Sequence, residues 1–232
     1  RTPWLRVSSC GERVISVPEL AIELLQATGE TMQMVGESLL FAVLFGLPLG
    51  TLLVVLDEGL IAPQPLLHLV LSAIVNVGRS IPFIILMIAI IPFTRWVVGT
   101  SIGTAAAIVP MAVGATPYVA RVVESALREV ERGAIEAALV MGANTWHLVY
   151  KVLWAEAWPG LILGVTLAAV SLVEYSAIAG AVGGGGLGDL AYRYGYQRYQ
   201  ANVLVASIIV LVLLVQGIQL LGDRLARWVD HR

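Results

Sequence analysis

Few side chains in this sequence of 232 residues are equipped for bond-making chemistry. A single cysteine, Cys10, leaves no internal disulfide and no thiolate-rich metal site. His68, His147 and His231 fall at no metal-ligand spacing. No Ser-His-Asp, Cys-His, paired-carboxylate or HExxH arrangement occurs. Gly183, Gly185 and Gly188 satisfy G-x-G-x-x-G literally. A dinucleotide site needs that pattern after a strand in a βαβ unit, and a P-loop needs a following Lys-Ser/Thr. Here an apolar run precedes and no such lysine follows, so the glycines read as a tight turn or a close backbone approach. Two ionisable residues, Arg79 and Glu174, stand inside apolar runs. Such groups are costly in hydrocarbon and face protein or water. Arg79 marks a polar path, joins a network between helices, or snorkels to headgroups. Glu174 lines a water-filled path, pairs with Arg79, or is protonated by desolvation.

The elements that hold these residues are set by composition. Apolar residues make up 58% of the chain and charged ones 13%, with a mean hydropathy of +0.86. Soluble domains carry about 25% charged residues. The chain therefore reads as one all-α integral membrane domain. The net charge of −2, without a basic cluster, gives no reason to expect nucleic acid. Five spans are expected, at about 34–56, 66–92, 104–123, 160–180 and 203–221, each near the ~20 residues a bilayer needs. Residues 1–30 form a separate N-terminal segment without a signal-peptide core, in which Pro18 to Gln26 reads either as an interfacial amphipathic turn or as part of a frayed polar terminus. Residues 31–232 form the membrane domain. Gly46 and Gly50, four apart, suit close helix approach. Glu124 and Arg128, also four apart, suit a helix pair, so the third span is expected to continue out of the membrane. Most of the alternating charges from Arg121 to Arg132 read as a solvated face.

The stretch from Glu136 to Trp158 is different. From Ala137 to Tyr150 it has no Asp, Glu, Lys or Arg, yet Asn144, Thr145 and His147 interrupt it. It is too short and polar to span lipid and too apolar to lie free in water. A surface helix covered by a partner protein resolves this, and spacing alone leaves open a solvated inter-span loop with a helical hairpin. Gly142 can end a first helix, and Asn144 or Thr145 can cap a second. Ala137 and Ala138 leave room beside Glu136 for another surface.

Glu136-Ala137-Ala138, then Gly142, then Val152 resembles the EAA loop in membrane subunits of bacterial ABC importers. The usual closing Leu-Pro is Trp154-Ala155 here, with proline only at Pro159. The wider chain, from roughly Glu30 onward, is similar to the methionine importer permeases. The likeness rests on Gly78 to Phe83, Ile91 to Arg95, Val98 to Gly103, Tyr175-Ser176-Ala177 and Gly183 to Asp189. One departure is Glu174, where the family commonly has glycine. The resemblance implies an ATP-driven methionine importer whose permease pairs with a second copy. Glu136, Ala137, Ala138, Gly142, Ala143 and Trp146 would dock a cytoplasmic ATPase dimer. ATP and Mg²⁺ would belong to that partner, with no cofactor in this chain and no enzyme activity of its own. Arg79, Glu174, Tyr175, Ser176 and Ile178 would line or close the path.

Tyr192, Tyr194, Tyr196 and Tyr199, beside Arg193 and Arg198, read as an aromatic belt. With Gly185 and Gly186, Tyr192, Tyr194 and Tyr196 also read as a docking face for an extracytoplasmic substrate-binding lipoprotein. Placing the EAA stretch inside gathers Arg121, Arg128, Arg132, Lys151, Arg224, Arg227 and Arg232 in the cytoplasm. That orientation, in a bacterial inner membrane, puts the N-terminus outside and the C-terminus inside. Another cargo of the same importer class is the alternative. A secondary transporter is disfavoured because no inverted repeat is evident.

Overall fold

Apolar runs with no water to satisfy their peptide groups must bond internally, which for runs of about 20 residues means helices. The computed structural model describes residues 17–57 and 64–230, and all regular elements among them are helical. Among the described residues four helices are long and apolar enough to cross a membrane, or five where a bent pair of shorter helices counts as one span. Cys10, the N-terminal arginines, most of the expected turn after Asp57, His231 and Arg232 lie outside the described residues.

α1 runs from Val17 to Val55 without a break at residue 30. Leu20, Leu24 and Ala27 pack with Leu187, Leu190 and Val203, so the apolar face of the N-terminal segment lies on protein. At about 1.5 Å per residue the 39-residue helix is about 58 Å long, well beyond a ~30 Å hydrocarbon core.

The expected second span is not one helix. α2 (Pro65–Ser80) and α3 (Phe83–Ala89) meet at 102°. Proline drives the residue before it out of the helical region, and Ile81, before Pro82, is extended at φ −80°, ψ 121°. Part of the expected connection is also helical: α4 covers Ile91–Val98 and stops at Gly99.

α5 (Thr104–Arg128) accommodates Pro110 and Pro117 and is the most buried long helix. It continues past the expected span end at 123. α1 lies along it through the two glycines the sequence singled out. A Cβ at Gly46 would stand 2.8 Å from the Val119 side chain, and one at Gly50 would collide with the Ala120 carbonyl oxygen and Val123. Met34, Met111, Val119 and Leu172 form the fully buried centre between α1, α5 and α8.

α6 (Arg132–Val140) and α7 (Thr145–His147) make the expected hairpin. The second arm is not a separate short helix. It continues through a π-helical turn, Leu148–Leu153, into α8 (Trp154–Ala179). The short α9 (Gly186–Leu190) and α10 (Ala201–Val229) complete the chain, α10 being the most peripheral long helix.

The α1–α5 seam yields a prediction. Overpacking a filled interface costs about 1–3 kcal/mol. Gly50→Leu should lower the thermal midpoint of the detergent-purified protein, whereas Gly29→Ala, with nothing within 4 Å of the added carbon, should leave it unchanged or raise it.

Candidate functional site

The hairpin is shaped by its two caps. Gly142 takes φ +79°, its N–H donates to the Leu139 carbonyl at 3.0 Å, and the Ala143 N–H donates to the Ala138 carbonyl at 3.0 Å. This pair of bonds closes a helix end through a left-handed residue. Asn144 then caps α7, its Oδ1 accepting from the His147 N–H at 2.9 Å. Ile135 and Ala138 point inward and are buried with Leu148, Val149 and Leu153. Ala138 therefore packs on the chain's own core, directly after the exposed Glu136 and Ala137, and corrects the expectation that it forms open docking surface.

The outer face is apolar and uncovered. Val140 is 89% exposed, Met141 80% and Trp146 72%. Trp146, Tyr150 and Trp154 form a ladder at four-residue spacing, with ring centroids 6.2 and 5.0 Å apart. Between the two arms lies a hollow of about 330 Å³, lined by Met141, Gly142, Ala143, His147, Lys151 and Val152, with Ala138 at its floor.

A polar cluster anchors the end of α5 from which the hairpin departs. Glu124 is only 4% exposed. Its Oε2 accepts from Arg121 Nη1 at 2.5 Å, and its Oε1 accepts from Arg128 Nη2 at 2.9 Å. Arg121 Nη2 also donates to Ser72 Oγ at 2.7 Å and Asn76 Oδ1 at 2.8 Å, tying α5 to α2. Arg128 reaches Asp57 Oδ2 at 2.6 Å, tying α5 to the end of α1. The Glu124–Arg128 pair matches its sequence spacing. The solvated-face reading fails for Glu124, which is a buried hub. The signal was present in Ser72 and Asn76, spaced four apart on α2, but their partner on α5 is a tertiary fact.

Arg79 is exposed near the C-terminal end of α2. The neighbouring Gly78 packs against Pro117 of α5, and Arg79 borders two cavities together with Tyr118. One cavity, about 140 Å³, is walled by Phe83, Leu86, Gly114, Tyr118 and Tyr175. The other, about 400 Å³, opens among Arg121, Glu124, Ser125 and Arg128. Phe83 and Tyr175 stack almost parallel, centroids 4.3 Å apart. Among the described residues Arg79 makes no hydrogen bond or ion pair, and the contemplated bridge to Glu174 is not formed. Glu174 and Ile178, one turn apart on α8, are exposed on one face. Ser176 is turned inward, its hydroxyl donating to the Val173 carbonyl at 2.7 Å. It lines no open path in this conformation.

The glycine run packs on α1. The Gly186 N–H donates to Glu30 Oε2 at 2.7 Å and the Leu187 N–H to Thr31 Oγ1 at 2.9 Å. Gly186 is buried and offers no surface for docking, and Gly185 is half-buried beside Glu30 and Thr104. Tyr192 and Tyr196 are exposed and stacked, centroids 5.7 Å apart. Tyr194 is half-buried between Arg193 and Arg198, whose guanidinium carbons lie 5.6 and 4.6 Å from its ring centre. The hydrogen bond from Arg193 to Asp189 raises the arginine's pKa above its ordinary value.

The family defined as "Binding-protein-dependent transport system inner membrane component" matches residues 42–232. The chain belongs to this family. Among the relatives of this inner membrane component is the "Probable D-methionine transport system permease protein MetI" of Vibrio cholerae serotype O1. It is 51% identical, over 90% of this chain and 93% of that protein. The "Methionine import system permease protein MetP" of Bacillus subtilis is 45% identical over 90% and 95%. A chain of the "MetNI methionine ABC transporter", solved in "inward facing conformations", superposes with a TM-score of 0.91. That match has 49% identity and covers 93% of this chain and all of the other.

For this inner membrane component, the buried Glu124 hub makes a test. Removing one partner of a buried ion pair costs about 3–5 kcal/mol, against about 0.5 kcal/mol for an ordinary surface change. Glu124→Ala should lower the detergent thermal midpoint sharply, and Glu129→Ala, at an exposed position, should not.

Proposed function

We propose that this chain is the permease subunit of an ATP-driven methionine importer. Two copies enclose the path, each presents one hairpin to a cytoplasmic ATPase dimer, and a substrate-binding lipoprotein delivers cargo from outside. ATP and Mg²⁺ bind the ATPase. The observation that carries this reading is the hairpin's outer face: Val140, Met141 and Trp146 are exposed around a hollow, on a segment that cannot cross lipid. An uncovered apolar surface of this kind marks a protein contact. Glu136 and Ala137 border it, and Gly142 holds its rim. The cargo assignment is supported by relatives near half identity whose names specify methionine. Arg121, Arg128 and Lys151, with Arg224 and Arg227, favour a cytoplasmic hairpin and C-terminus and an N-terminus outside. Glu174, Tyr175 and Ile178 on α8 line or close the path. Tyr192, Tyr194 and Tyr196 receive the lipoprotein.

Two measurements test the reading. Glu136→Lys and Gly142→Trp should each abolish ATP-dependent methionine uptake in proteoliposomes and loosen co-purification of the ATPase. Wild-type behaviour in both assays would sink the coupling assignment, and uptake without ATP would favour a secondary transporter. Ile178→Gly should open an ATP-independent leak; tight vesicles with normal uptake would remove Ile178 from the gate.

A further inference from the structure

Three arginines border the two cavities beside the broken span, and they are not equivalent. Arg121 and Arg128 share Glu124, and Arg128 also holds Asp57. Arg79, at the boundary common to both cavities, is the one of the three without an acidic partner among the described residues. Arg79 is exposed, so its guanidinium is open to an anion or to water, as a charge within an apolar run must be. Its planar fork of donors matches a carboxylate in bidentate geometry.

The surroundings specify more than an anion. The smaller cavity has a flat aromatic wall, Phe83 against Tyr175, with Leu86 beside it and Gly114 leaving space. A thioether placed against that wall gains from aromatic contact. Charge at one edge and aromatic surface at the other suit an amino acid with a free carboxylate and an uncharged side chain.

We propose that Arg79 is the carboxylate-binding residue of a cargo site inside this chain, with the amino-acid side chain lying against Phe83 and Tyr175. This rests on the importer reading above and adds a ligand site to it. Because Arg79 borders both cavities, the carboxylate keeps one partner while the cargo moves from the aromatic pocket to the cleft beside Arg121 and Arg128. The break at Ile81–Pro82 is what turns α3, and Phe83 with it, away from the line of α2 to make that pocket.

The competing account is that Arg79 only neutralises a carboxylate of the assembled importer, Glu174 above all. Equilibrium binding of radiolabelled methionine to the purified permease–ATPase complex, without the binding protein, separates the two when paired with uptake in proteoliposomes. The wild-type complex should bind methionine saturably, and methionine amide, which lacks the carboxylate, should not compete. Arg79→Gln should weaken binding about tenfold or more, the loss of a charge-assisted hydrogen bond. Arg79→Lys should recover part of it. ATPase co-purification reports that the variants assemble. The Arg79→Gln/Glu174→Gln double variant should stay as defective as the single one. Recovery in the double variant, wild-type binding by Arg79→Gln, competition by the amide, or no saturable binding by the wild-type complex would each overturn the site. If wild-type proteoliposomes import no methionine, the importer reading itself fails. If they do and Arg79→Gln matches them, only this site fails.

Discussion

Glu124 accepts from two guanidinium groups where it has almost no access to its surroundings. A buried carboxylate is tolerated only when its charge is matched and its lone pairs are used. Arg121 and Arg128 meet that demand, and each carries the obligation outward, one to α2 and the other to the end of α1. Three helices are thereby fixed at the point where α5 ends and the hairpin begins. The greasy outer face of the hairpin is then held at a set angle to the bundle instead of folding back onto it.

Much of this was legible in the residues. The hairpin with its Gly142 turn and Asn144 cap follows from local chemistry, because each cap is satisfied within a few residues. The Gly46–Gly50 seam follows from side-chain size. The long helices follow from hydropathy, but the ends of α1, α8 and α10 do not, since all three extend beyond the apolar windows; only the continuation of α5 was marked, by the Glu124–Arg128 spacing. Hydropathy reports the solvent each segment prefers, whereas a helix stops only where its hydrogen bonding is interrupted. Pro82 sat visibly inside the second span, yet the same residue type is absorbed at Pro110 and Pro117 within an unbroken α5. Whether a proline bends or breaks a helix depends on which neighbours take up the freed backbone groups.

The site residues divide along the same line. Exposure at Glu136, Gly142 and Trp146 agrees with their patterns, since the apolar stretch had nothing nearby to cover it. Inward orientation at Ala138 and Gly186 was not readable, because each is buried by an element distant in the chain or by the opposite arm of the hairpin. The buried role of Glu124 was hidden for a similar reason. An alternating run of charges looks the same on paper whether it is bathed in water or clasped between helices.

The π-helical turn from Leu148 to Leu153 leaves no loop between hairpin and span. From Trp146 to Ile178 the chain is one continuous rod, about 48 Å long at 1.5 Å per residue. Force applied at the Trp146 end has no slack to consume it. A tilt of about 5° about either end displaces the other by about 4 Å over that length, roughly a residue's spacing, delivered without any local unfolding along the way.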